Sequence, residues 1–257
     1  MTVTYALMDP TGNVTALIET PVSRAEQPAV AAKVMDLEPR AEQAGFLSHP
    51  GGCDIALRMA GGEFCGNAAM SAAVRFCARA GHNTANVTVR VSGVEHPVAV
   101  EIEKTADSLW KGAVEMPLPL SVETAALPGG MALPLVAFPG ISHVILETPL
   151  EKAEALAKDW CAFLHADALG LMFLDRKAGA LTPLVYVPAA DTLFWESACG
   201  SGSSAVGVWL AQKAGREITV SLKQPGGALT ITAAPEGPVI LQGTVRFLEE
   251  KTVNIEI

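Results

Sequence analysis

Glu63-Phe64-Cys65-Gly66-Asn67-Ala68 and Glu196-Ser197-Ala198-Cys199-Gly200-Ser201-Gly202 share one pattern: a cysteine, a glycine, then a run of small residues with helical character. Residues 68–80 and 203–214 read as helices, each stopped by a glycine, Gly81 and Gly215, the residue that best tolerates the left-handed turn after a helix. Outward from these turns, residues 3–8, 14–18, 87–91, 98–102 and 114–116 alternate or run apolar with β-branched side chains and read as strands. Residues 142–147, 184–187, 218–222, 229–233 and 239–247 do the same. Residues 23–35 and 150–161 are two further helix candidates. Many strands with a few embedded helices predict an α+β fold.

The stretch 116–134, with Pro117, Pro119, Pro128 and Pro134, reads as a connection between two similar halves. Each half runs strand, strand, glycine-rich turn, helix, glycine, strand pair. The two cysteines lie about half the chain apart, as a duplicated domain with a pseudo-twofold axis predicts. The expected division is 1–117, holding Cys65, and 118–257, holding Cys199, with a last strand near 248–257 returning to the first half.

The chain has 257 residues, 50% of them hydrophobic and 18% charged, which suits a folded protein with a large core. Its net charge of −9 repels polyanions, so no nucleic-acid partner is expected. No run approaches the ~18 apolar residues of a membrane helix, and the first residues lack the basic and apolar regions of a signal peptide, so a cytoplasmic protein with no membrane partner is expected. Five cysteines, an odd number, make a disulfide framework a poor reading, and no Cys-x-x-Cys pair supports zinc. His49, His82, His96 and His165 show no ligand spacing, and no metal is expected.

A free cysteine is by default a small buried hydrophobe. Cys53, Cys77 and Cys161 fit that default. Cys65 and Cys199 differ because each sits just before a helix start, where unpaired backbone N–H groups and the helix dipole favour a thiolate and also suit a bound carboxylate. Inverting a Cα centre requires a proton removed from one face and another delivered to the opposite face. Two bases related by a twofold axis do this directly. The carboxylate held on the helix N-termini then stabilises the carbanion-like transition state, in place of the electron sink that pyridoxal phosphate would supply.

These residues resemble the diaminopimelate epimerase family of pyridoxal-independent amino-acid racemases and isomerases. The likeness rests on Cys65-Gly66-Asn67-Ala68 and Ala198-Cys199-Gly200-Ser201-Gly202, with Gly12-Asn13 and Gly140-Ile141-Ser142-His143 in support, and it spans nearly the whole chain. It implies a diaminopimelate epimerase-like fold, two pseudo-symmetric domains each built as a mixed sheet wrapped around a central helix, with the active site in the cleft between them. It implies Cys65 and Cys199 as catalytic acid and base, no cofactor, and a substrate held by Asn13, Gly66, Asn67, Gly200 and Ser201. His143, Glu196 and Glu42 are implied as orienting residues, and Glu63 reads as a helix-start carboxylate. The family's distal asparagines and arginine are missing: no asparagine lies between Asn86 and Asn254, and no arginine between Arg176 and Arg216. A second zwitterionic head would find no bidentate partner there, so the expected substrate is a single-headed amino acid. Within the family the segments 61–68, 195–202 and Glu42-Gln43-Ala44-Gly45-Phe46 are most similar to the histidine racemases of staphylopine-type opine metallophore synthesis. Diaminopimelate epimerase, another isomerase of the same fold, and a thiol redox or ligand-binding protein are the competing readings. The small-molecule substrate is the expected partner, and a homodimer is left open.

Overall fold

The computed structural model describes residues 1–256, in two compact units, Met1–Glu115 with Gln242–Ile257, and Met116–Leu241. The first unit contains β1 (Thr2–Pro10), β2 (Thr15–Ile18), α1 (Gln27–Leu37), β3 (Gln43–Ser48), β4 (Ile55–Met59), α2 (Gly66–Ala80), β5 (Thr84–Val91), β6 (Val98–Ala106) and β7 (Leu109–Met116). The second contains β8 (Ser121–Leu127), β9 (Met131–Phe138), β10 (Ile141–Leu146), α3 (Ala153–Phe163), β11 (Leu169–Asp175) and β12 (Ala180–Val187), followed by β13 (Thr192–Trp195), α4 (Gly200–Ala214), β14 (Ile218–Gln224) and β15 (Gly227–Ala233). The last strand, β16 (Val239–Asn254), begins in the second unit and finishes in the first.

Both units use the same construction. Parallel neighbours β2/β3 and β4/β5 are joined across α1 and α2. Parallel neighbours β10/β11 and β12/β14 are joined across α3 and α4, because parallel strands need a crossover and a helix supplies it. In the first unit the strand order is β1-β2-β3-β4-β5-β6-β7-β16, and β16 pairs back on β1 from Asn254 opposite Thr2 to Val245 opposite Pro10, so the sheet closes. α2 touches β1, β2, β4, β5 and β6 and lies inside. In the second unit α4 touches β9, β10 and β11 as well as β14 and β15, strands from both ends of the sheet order, so this sheet also wraps its helix.

A helix enclosed by a sheet must be slim and satisfied on all sides. α2 and α4 meet this with Ala, Ser and Gly. Their buried hydroxyls bond one turn back: Ser71 Oγ to Asn67 O at 3.0 Å, Ser204 Oγ to Gly200 O at 2.9 Å. The outer helices are amphipathic. α1 seals Val30, Ala31 and Val34 against β1–β3, and α3 seals Ala157, Trp160 and Cys161 against β10–β12. No helix among the described residues is long and apolar enough to cross a membrane.

Two expectations are corrected. The stretch 116–134 is no simple connection, since β8 and the start of β9 occupy it. Pro134 is tolerated because at that point β9 pairs only with β8, opposite Thr124, and its missing N–H breaks no second ladder. Pro128 sits in the turn closed by Gly130 N–H to Leu127 O at 3.2 Å. The first helix starts at Gln27 rather than at 23, because Pro28 sets its first turn and Ser23 to Glu26 form a separate turn, with the Ser23 Oγ to Glu26 Oε2 bond at 2.6 Å.

Candidate active site

Cys65 is the N-cap of α2, in extended backbone (φ −136°, ψ 111°), and its Sγ accepts a hydrogen bond from Ala68 N at 3.4 Å. Cys199 is the N-cap of α4 (φ −110°, ψ 109°), and its Sγ accepts from Gly202 N at 3.4 Å. The two thiols therefore do the same work for two fifteen-residue helices: each satisfies an N–H that the helix leaves unpaired. Both helices end in a left-handed glycine, Gly81 at φ 73° and Gly215 at φ 62°.

Around Cys65 the first unit assembles a polar network. The turn after β1 is pinned by Gly12 N–H to Asp9 Oδ1 at 2.6 Å and Asn13 N–H to Pro10 O at 3.2 Å. Asn13 Nδ2 donates to Glu42 Oε2 at 2.8 Å. Asn67 Nδ2 donates to Asn13 Oδ1 at 3.4 Å, and Gly66 opens α2. Asn13, Glu42 and Asn67, singled out in the sequence, are thus brought into one connected group. Gln43, to which the sequence reading gave no site role, completes it. Its Nε2 reaches Asn13 Oδ1 at 2.6 Å and Thr15 Oγ1 at 2.8 Å, while the Cys65 Sγ donates to its Oε1 at 3.4 Å. Burial pushes the Glu63 carboxyl up, against a backbone hydrogen bond and the Arg58 charge.

The second unit surrounds Cys199 more tightly. Ser201 Oγ lies 3.6 Å from the thiol and 3.0 Å from His143 Nε2 on β10. Gln224, passed over in the sequence, accepts from Cys199 N at 2.8 Å and donates to Ser203 Oγ at 2.9 Å, and Ser203 Oγ in turn donates to Cys199 O at 2.7 Å. The Cys199 backbone is clamped on both sides. Gly202 leaves room beside the thiol: a Cβ there would press on the flexible end of Met172 and come 3.2 Å from the Cys199 Sγ. A Cβ at Gly170 would meet the His143 ring.

The helix-start amides were expected to favour a Cys199 thiolate, and at this thiol they are outweighed. Burial and then the neighbouring Glu196 carboxylate, which also accepts its hydrogen bond, push it well above its ordinary value. Ser201 and the Gly202 N–H pull the other way and lose. His143 is wholly buried, and burial alone lowers its pKa to about 3, so the ring is neutral at physiological pH. Its Nδ1 has no hydrogen-bond partner among the described residues. Cys77 and Cys161 are buried, and burial raises both thiols. Cys53 is half-buried in a loop, 4.0 Å from Pro50 O.

The chain shares its fold with solved structures. A Bacillus anthracis phenazine biosynthesis protein of the PhzF family matches with a TM-score of 0.73 at 14% identity, over 99% of this chain and all (100%) of that one. A probable proline racemase from Agrobacterium radiobacter K84 matches with a TM-score of 0.63 at 13% identity, over 99% of this chain and 93% of that one. At such identities the likeness speaks to fold. Sequence relatives are nearer. A histidine racemase of Fusobacterium nucleatum subsp. nucleatum is 29% identical over 262 residues, covering 98% of this chain and 97% of that protein. A histidine racemase of Staphylococcus aureus is 28% identical over 245 residues, covering 89% and 88%. The model of the family described as "Histidine racemase CntK N-terminal domain" matches residues 2–247, a span that takes in both cysteine turns and their networks, and the chain belongs to that family.

Proposed function

We propose that this protein is a cofactor-independent histidine racemase of the diaminopimelate epimerase-like fold, in which Cys65 and Cys199 exchange protons with Cα on opposite faces. The observation that carries the reading is the matched placement of two thiols, each N-capping a buried small-residue helix through the same kind of 3.4 Å N–H contact. First-turn amides at Gly66 and Asn67, and at Gly200 and Ser201, cradle the substrate carboxylate, whose charge grows as the Cα proton leaves. Asn13 and Asn67 hold the amino-acid head. His143 acts through Ser201 on Cys199, and Glu196 through its hydrogen bond to the same thiol. Both thiols must stay reduced, which fits a cytoplasmic enzyme.

The substrate follows from family membership and from what the second half lacks. With no arginine between Arg176 and Arg216 and no asparagine between Asn86 and Asn254, it offers no bidentate grip for a second amino-acid head. L-Histidine and LL-diaminopimelate, incubated side by side with the protein and without pyridoxal phosphate, separate the readings by chiral chromatography. D-Histidine is expected to accumulate while LL-diaminopimelate stays unchanged. Preferential turnover of LL-diaminopimelate would overturn the substrate, and inertness toward both would overturn the activity.

A further inference from the structure

The hydrogen bonds around Cys65 have a direction. The Glu42 carboxylate accepts, so the Asn13 amide turns its Nδ2 toward it at 2.8 Å and its Oδ1 away. Thr15 gives its hydroxyl proton to Asn13 O at 3.1 Å, leaving its oxygen to accept. Gln43 Nε2 then donates to Asn13 Oδ1 at 2.6 Å and Thr15 Oγ1 at 2.8 Å, and both amide protons have acceptors. This fixes which end of the Gln43 amide meets the cysteine: its Oε1 faces the Sγ at 3.4 Å. An amide oxygen accepts a bond from S–H and repels a thiolate. The second unit differs in kind, because the acceptor on the Cys199 thiol is the Glu196 carboxylate, which can also take the proton.

We propose that Gln43 is a positioning residue that holds Cys65 as the protonated thiol, so that the resting enzyme presents Cys65 as proton donor, while Cys199 becomes a proton acceptor only after giving up its own proton. The inference rests on the two-thiol reading above. The protons balance. Cys199 passes its proton to Glu196, and the resulting thiolate takes the Cα proton while Cys65 S–H delivers its own to the opposite face. The cycle leaves a Cys65 thiolate and a protonated Glu196, and solvent carries that proton back to Cys65. The enantiomer whose Cα–H faces Cys199 therefore waits only for that thiol to pass its proton to the adjacent Glu196, and the other must wait for Cys65 to ionise against the Gln43 oxygen. Since L and D forms are equally stable, kcat/KM stays equal in the two directions, and the bias shows in kcat and KM separately.

The test is the pH dependence of iodoacetamide labelling at Cys65, read by mass spectrometry of its peptide in the full-length protein. Gln43→Leu removes the acceptor, and the apparent thiol pKa is expected to fall by about 1; Gln43→Glu substitutes a carboxylate, and it is expected to rise by about 1. A merely structural role would shift both variants the same way, or neither, and either outcome overturns the inference. If Gln43→Leu does not fold, the direction of the Gln43→Glu shift decides alone. Cys65→Ala separates the two levels. If that variant still racemises, the two-thiol reading fails; if it is inactive while the labelling order is wrong, only the role of Gln43 fails.

Discussion

Cys65→Ala and Cys199→Ala are each expected to lower kcat for racemisation by about a thousandfold, since a positioned acid or base contributes roughly 10²–10⁴-fold. The double variant should be scarcely worse than either single one, because two groups serving one proton relay fail as a unit. The helix N-cap contact is lost as well, at a cost of about 1 kcal/mol for each helix, so the variants should remain folded. Cys53→Ala gives the contrast. Among the described residues its thiol's one hydrogen bond is to the Pro50 carbonyl at 4.0 Å, and activity should stay within about twofold of the parent. Steady-state assays by chiral chromatography, with circular dichroism to confirm folding, decide the matter. Near-normal racemisation by either the Cys65 or the Cys199 single variant would remove the two-thiol mechanism.

His143 should make the protein lose stability in mild acid. Its native pKa is held near about 3 by burial, against an ordinary value of 6.5, so the unfolded chain binds a proton that the native state refuses. The associated stability is fully present above about 6.5 and falls by about 1.4 kcal/mol per pH unit as pH drops toward 3. Between pH 7.5 and 5 the loss is about 2 kcal/mol, a large share of a typical 5–15. Glu38, held at about 2 mainly by its hydrogen bond to Arg40, gives up its contribution only below the ordinary carboxylate value and leaves this window alone. Glu63, pushed up by burial, acts with the opposite sign, but equally in parent and variant. His143→Gln keeps a partner for Ser201 and cannot titrate there. Urea unfolding at pH 7.5 and 5, followed by tryptophan fluorescence, should show the acid-induced loss shrinking by about 2 kcal/mol in the variant. An unchanged loss would mean that the buried ring accepts its proton without penalty.

The two cysteine turns were legible in the sequence because their signal is local: a cysteine, a glycine, a small-residue helix and a closing glycine, written twice. The helix ends followed, as Gly81 and Gly215 both take the left-handed cap. Several strands escaped, β3 and β4 among them. β3, Gln-Ala-Gly-Phe-Leu-Ser, is buried over its middle four residues and has no period to read. Missing β3 hid Gln43: without the strand, nothing distinguishes it from Glu42 beside it, and only pairing with β2 brings Gln43 opposite Thr15. Gln224 was hidden for a related reason, since its role is to hold the Cys199 N–H from twenty-five residues away in sequence. The thiol electrostatics were misjudged because a helix start is local and burial is not. At Cys199 the enclosing sheet and Glu196 outweigh the amides that the sequence advertises.

Early turnover of L-histidine in heavy water tests the two-thiol mechanism most directly. Two bases acting on opposite faces take the proton from the substrate on one side and deliver a solvent-equilibrated deuteron from the other. The D-histidine formed first should therefore carry deuterium at Cα, while the remaining L-histidine stays protonated, as read by NMR and mass spectrometry. D-Histidine that keeps its original Cα proton, or deuterium entering the unreacted L-histidine as fast as the product, would show one base serving both faces and would contradict the assignment of Cys65 and Cys199 as a pair.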